Sequence, residues 1–112
     1  MSIQMLFGFI TLLAAVLLTV ETAAYWHTRN VFDEAAAEGA RVAAAFDGTC
    51  LDGVAAATAL VRRHAPGWGS RVSVTCTDGP TVVVVVTGPT MGMAGARLGL
   101  SARTVESAPK ER

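Results

Sequence analysis

The sequence predicts an α+β fold: one long N-terminal helix carrying a small head of one short helix and a three-stranded antiparallel sheet. Three observations predict it. No proline occurs before Pro66, so nothing interrupts a helix from Met1 to Phe46. Apolar residues recur at helical spacing at Val54, Ala57, Leu60 and Val61. Beyond Gly69 the pattern changes to strand-like alternation and a run of five valines.

The long helix reads in two halves. From Ile3 to Val20 it is almost wholly apolar, and from Glu21 to Phe46 it is Ala-rich and carries Glu21, Arg29, Asp33, Glu34, Glu38 and Arg41. Some 45 helical residues would be about 65–70 Å long. A chain of 112 residues cannot bury such a helix alone, so lipid or further copies of the chain must cover it. About 18 apolar residues are just enough to span a bilayer. Residues 1–22 are therefore expected to form a transmembrane or filament-core segment, and residues 23–112 a head that includes the amphipathic half of the helix.

Within the apolar half, Gly8, Ala14 and Ala15 are small enough to let helices approach closely, although such residues are also ordinary in spanning helices. Glu21 closes the run. Tyr25, Trp26 and His27 follow at the level of an aromatic interfacial belt, or else pack on the head. In the second half, Ala35, Gly39 and Ala43 repeat every four residues, beside Ala36, Ala40 and Ala44. This smooth stripe suits close packing by a sheet or a helix, with Val31, Phe32, Val42 and Phe46 adding bulk beside it. Arg41 is placed to pair with Glu38 or Glu34, a solvated pair worth about 0–1 kcal/mol. Asp47-Gly48 is expected to end the helix, with Gly48 as a left-handed cap.

The head follows. Asp52 reads as the cap of a helix from Gly53 to about His64, with Arg62, Arg63 and His64 in its last turn, where cations suit the helix dipole. Pro66-Gly67-Trp68-Gly69 is a turn. Arg71 to Thr77 alternates as a half-buried strand. Thr81 to Thr87 is the second strand, its valine run implying a central position covered on both faces. Gly88 to Gly95 is a Gly/Met-rich connection in which Met91 and Met93 either offer an adaptable contact surface or fill a gap. Arg97 to Val105, with Leu98, Leu100, Ala102 and Thr104 on one parity, reads as the third strand. Glu106 to Arg112 is polar and expected to fray.

Composition bounds the function. Apolar residues make up 52% and charged residues 16%, too apolar for a disordered chain and in keeping with a membrane anchor. The formal net charge is zero, so no nucleic-acid partner is indicated. Cys50 and Cys76 are expected to form a disulfide in an exported head; two buried thiols in a cytosolic head are the alternative, and a zinc site with His27 or His64 has no supporting spacing. A Cys–His64–Asp52 nucleophile set is conceivable but weaker than a disulfide plus a helix-end histidine. Residues 88–95 lack the Lys-Ser/Thr of a phosphate loop. The chain therefore reads as a non-enzyme without metal or cofactor.

The first residues are Met-Ser-Ile-Gln, and the nearest basic residue is Arg29, on the far side of the apolar run. The positive-inside rule alone would then keep the head in the cytoplasm, against the expected disulfide. A short basic leader preceding Met1 would resolve the conflict.

The stretch Val20-Glu21-Thr22-Ala23-Ala24-Tyr25, followed by Ala35-Ala36-Ala37-Glu38-Gly39-Ala40-Arg41-Val42-Ala43-Ala44, resembles the TadE-like family of pilin-related proteins from tight-adherence (Tad/Flp) pilus systems. The sharpest shared feature is Ala36-Ala37-Glu38-Gly39-Ala40-Arg41. The valine-rich hairpin and the Gly/Pro-rich connection before the last strand are also similar to that family. The resemblance implies a type IV pilin-like fold, cleavage of a leader at the cytoplasmic face, residence in the cytoplasmic membrane, and extraction into a helical surface filament. Its partners would be further copies of the chain, other pilins and inner-membrane assembly machinery. Such proteins carry a glutamate about five residues into the mature helix; this chain has Met5 beside Gln4. The alternative is a single-pass membrane-anchored accessory protein that never polymerises.

Overall fold

The computed structural model describes residues 2–67, 71–90 and 99–111. Five elements follow in order: α1 (Ile3–Ala44), α2 (Cys50–His64), β1 (Ser73–Thr77), β2 (Thr81–Pro89) and β3 (Ser101–Pro109). The layout is α+β and pilin-like. α1 has 42 residues, about 63 Å of helix, and accounts for most of the molecule's 71 Å length. Its first half has no buried residue, and only its last turn, at Leu18, reaches the described part of the head.

α1 starts where Ser2 accepts a hydrogen bond from the Met5 amide at 3.2 Å, and its first turn has no acidic residue. It ends at Ala44, with Ala45 as cap. Gly48 does not supply the expected left-handed cap, since its φ is not positive. Proximity is what requires glycine there: a Cβ would collide with the Val42 carbonyl. Phe46 lies outside the helix and is exposed rather than packed.

α2 also starts differently from the sequence expectation. Thr49, not Asp52, is the N-cap, and the two form a capping box: the Thr49 hydroxyl accepts from the Asp52 amide while the Asp52 carboxylate accepts from the Thr49 amide. Each residue thus satisfies a donor that would otherwise be orphaned at the helix start. Cys50, placed in a loop by the sequence reading, is the first residue of α2.

The sheet is an antiparallel meander in the order β1-β2-β3. β2 is central, with Val85 opposite Thr75 on one side and Val105 on the other. Val82, Val84, Val86 and Gly88 face the helices and are buried, whereas Val83, Val85 and Thr87 on the opposite face are half-buried. This corrects the expectation that both faces are covered: β2 has strands on both edges, but helices on one face only. β3 runs four residues past the expected Val105 and starts at Ser101; Ala102 and Thr104 keep the expected inward parity, Leu100 precedes the strand and is exposed, and Leu98 lies outside the described residues. The tail is ordered as far as Glu111, since Glu106 to Pro109 pair with β2 and the Glu111 amide donates to the Ala44 carbonyl at 2.8 Å. The expected turn at Trp68-Gly69 and the Met91/Met93 connection also lie outside the described residues.

The core is a thin sandwich of α1 and α2 over the sheet. Phe32, Val61, Val82, Val84 and Val86 are fully buried, and burying each such side chain is worth roughly 1.5–3 kcal/mol. Small residues set the spacing. An added Cβ on Gly88 would lie 3.1 Å from the Phe32 ring, so glycine lets that ring seat against the strand. Gly39 and Gly53 form a mutual notch where α1 meets α2: a Cβ on Gly53 would lie 2.6 Å from the Gly39 carbonyl, and one on Gly39 would lie 2.9 Å from the Gly53 carbonyl.

Candidate assembly surface

The surface left for partners starts with the apolar half of α1. Residues 2–20 are exposed throughout, including Ile3, Met5, Leu6, Phe7, Phe9, Ile10, Leu12, Leu13, Val16, Leu17, Leu18 and Val20. The apolar side chains surround the helix rather than forming a stripe, which is the pattern of a helix covered on all sides. The eighteen-residue window long and apolar enough to cross a membrane contains no buried residue.

Three threonine hydroxyls in and just beyond this half are internally satisfied. Thr11 donates to the Phe7 carbonyl at 2.8 Å, Thr19 to Ala15 at 2.9 Å and Thr22 to Leu18 at 2.7 Å. Bonded back to the preceding turn, these hydroxyls can enter an apolar environment as paired donors. Nothing lies within 4 Å of a Cβ added to Gly8, so this glycine is not required by the chain's own packing. Ala14 and Ala15 are likewise exposed, and Met5 lies in the first turn beside the Ser2 cap. Glu21 is half-buried at the head's edge, with Tyr25 and Trp26 exposed just above it.

The Ala35–Gly39–Ala43 stripe lies on the opposite side of the question. All three residues are buried, and Gly39 meets Gly53, Ala57 and Val84. The stripe therefore packs against α2 and β2 of the same chain and offers no surface to a second copy.

Cys50 and Cys76 are joined in a disulfide across 26 residues, tying the start of α2 to β1. The staple thus binds the short helix to the sheet rather than the end of the long helix. With both sulfurs bonded, neither is a thiol nucleophile. Asp52 is engaged in the capping box at one end of α2, while His64, at the other end, contacts the Leu60 carbonyl and lies 3.9 Å from Glu34. Among the described residues no group of three or more His, Cys, Asp or Glu side chains is arranged to hold a metal. Arg41 pairs with Glu38 at 2.6 Å. The hydrogen bond to Glu38, then its charge, raises the Arg41 pKa further, so the guanidinium is charged at every accessible pH.

One contact has no sequence signature. Lys110, the sole lysine of the chain, donates from Nζ to the carbonyls of Ala43 at 3.0 Å, Ala45 at 2.8 Å and Gly48 at 2.6 Å. It caps the C-terminal end of α1, where carbonyls lack intrahelical partners and the helix dipole favours a cation. The Thr49-x-x-Asp52 box, by contrast, is readable as a motif.

Fold and surface together define an α+β protein with a pilin-like layout and, among the described residues, one helix long and apolar enough to cross a membrane. A family model described as TadE-like protein matches residues 1–41, the stretch that contains the apolar half of α1 and ends on Arg41 of the Glu-Gly-Ala-Arg signature. This N-terminal stretch is therefore TadE-like, and the family resemblance read from the sequence stands over it. Neither the curated proteins nor the solved structures provide a match.

Proposed function

We propose that this chain is a structural subunit, a pilin or minor pilin, of a Tad-type surface filament. The observation that carries the reading is the contrast within α1. Its second half packs one face on the chain's own head, while its first half is apolar on all sides and has no buried residue. The TadE-like match over that same stretch supports it. The helix first resides in the cytoplasmic membrane. On assembly, identical helices take the place of lipid around it, and the heads coat the outside of the polymer. Heterologous contacts that repeat without closing generate such a filament.

The second reading, a membrane-anchored accessory protein that never polymerises, draws on one observation. The first turn of α1 has no acidic residue, and Met5 stands where the family resemblance leads one to expect glutamate. A carboxylate there would offer a partner for the N-terminal amine of a neighbouring subunit.

Shearing surface material from cells that express the chain, pelleting it, and taking intact mass spectra without reductant separates the two. The subunit reading predicts that this chain dominates the pellet with its disulfide intact. Retention in the membrane fraction, with no chain in the pellet, would favour the accessory anchor.

A further inference from the structure

The head has two ends, and the lower one reaches the level of the apolar segment. β2 and β3 run along α1 so that Gly88 lies against Phe32 and the strand ends continue towards Glu21. There, Thr90 and Leu100 share a shallow groove of about 210 Å³ with Leu18, Glu21, Thr22 and Tyr25 of α1. Leu18 belongs to the apolar half itself. The described part of the head thus descends to the last turn of that half.

Depth then follows from length. Ile3 to Val20 is about 27 Å of helix, close to the roughly 30 Å thickness of a bilayer's hydrocarbon core. A carboxylate is costly inside that core, so Glu21 marks its edge. Leu100, in the same groove as Leu18 and Glu21, must stand at that edge too. It is 51% exposed, as Leu17 on the apolar helix is at 52%, and Trp26 and Tyr25 in the same band are 60% and 38% exposed. At this level the Thr90 amide donates to the Leu100 carbonyl at 3.2 Å. That amide therefore meets an interfacial environment already paired.

We propose that the lower end of the sheet is a membrane seat: Leu100, with Tyr25 and Trp26, inserts into the boundary between headgroups and acyl chains of a phospholipid bilayer before assembly. The proposal rests on the reading of the apolar half as a membrane span. The seat fixes how deep the helix sits and holds the head against the surface, because two elements rather than one enter the interface. The opposite end of the head serves as a built-in contrast. Phe46 and Leu51 are 74% and 80% exposed, but they follow the end of α1 at Ala44, about 34 Å of helix from Glu21, far above any bilayer surface.

The test places one environment-sensitive fluorophore, through Leu100→Cys, on the full disulfide-bonded chain in phosphatidylcholine vesicles. Leu51→Cys and Leu12→Cys carry the same dye as references. Quenching is measured with lipids spin-labelled near the headgroup boundary or near the acyl-chain end, and with aqueous iodide. The seat predicts strong lipid quenching at Leu100 and iodide quenching several-fold weaker than at Leu51. A Leu100 label that matches Leu51, while the Leu12 label is quenched from the lipid, would overturn the seat and leave the span standing. If the Leu12 label also escapes the lipid quencher, the span fails, and the seat with it.

Discussion

The ammonium of Lys110 lies 2.6 Å from the carbonyl oxygen of Gly48, 62 residues earlier in the chain. The same nitrogen reaches Ala43 and Ala45, so one side chain from the end of the sheet closes the end of the long helix. Lys110→Met keeps most of the stem and removes three charge-assisted donors from partly buried carbonyls. The expected loss is about 2 kcal/mol, read as a lower thermal midpoint of the head in detergent. The apolar half should keep its helicity, because the contact lies at the far end of α1.

Gly53→Ala is expected to be costly. The new methyl would lie 2.6 Å from the Gly39 carbonyl and 2.7 Å from the Ala43 Cβ, forcing the helices apart at about 1–3 kcal/mol. Gly8→Ala has the opposite expectation for the free chain, since no atom lies near the added methyl and alanine favours a helix by about 1 kcal/mol. If neighbouring helices approach at Gly8 in the filament, the same substitution lowers the yield of sheared polymer. Circular dichroism of the detergent-solubilised protein and the pellet yield measure the two effects separately.

Reducing the Cys50–Cys76 disulfide, or replacing both residues by serine, frees a 26-residue separation and is expected to cost about 3 kcal/mol. The head is small and its sandwich thin, so this loss is a large fraction of its stability. Limited proteolysis with and without reductant should show faster cleavage in the β1–β2 hairpin of the reduced chain.

Thr104 is 5% exposed, faces the core opposite Val86, and its hydroxyl has no partner among the described residues. Thr104→Val replaces the hydroxyl by a methyl of the same shape. A gain of about 1 kcal/mol is expected, seen as a raised thermal midpoint without change in the circular dichroism spectrum.

The sequence made the layout legible through local patterns. An unbroken proline-free stretch announced α1, helical spacing announced α2, and the valine run announced the central strand. What it left unread depends on contacts between distant residues. The valine run implied cover on both faces because apolar content alone does not distinguish a strand flanked by two others from one sandwiched between layers; Val83 and Val85 remain half-buried on the outer face. The alternation drew Leu100 into the third strand, which it precedes, while the polar run Glu106-Ser107-Ala108-Pro109 pairs with β2 on the strength of its backbone. Lys110 sits in a stretch that looks like a tail, and no pattern links it to Ala43. The Ala35–Gly39–Ala43 stripe was legible as a packing face, but not the identity of its partners, which are the chain's own α2 and β2. Of the candidate assembly surface, the apolar half of α1 was fully readable, since length and composition alone define it.

The most direct test of the central claim is the accessibility of the apolar half of α1 once the chain has left the membrane. Leu12→Cys and Leu51→Cys would be exposed to a water-soluble maleimide in sheared, pelleted material, with labelling followed by mass spectrometry. Rapid labelling is expected at Leu51 and strong protection at Leu12, because neighbouring copies replace lipid around the helix. Equal labelling at both positions, or failure of the chain to appear in sheared material at all, would contradict it.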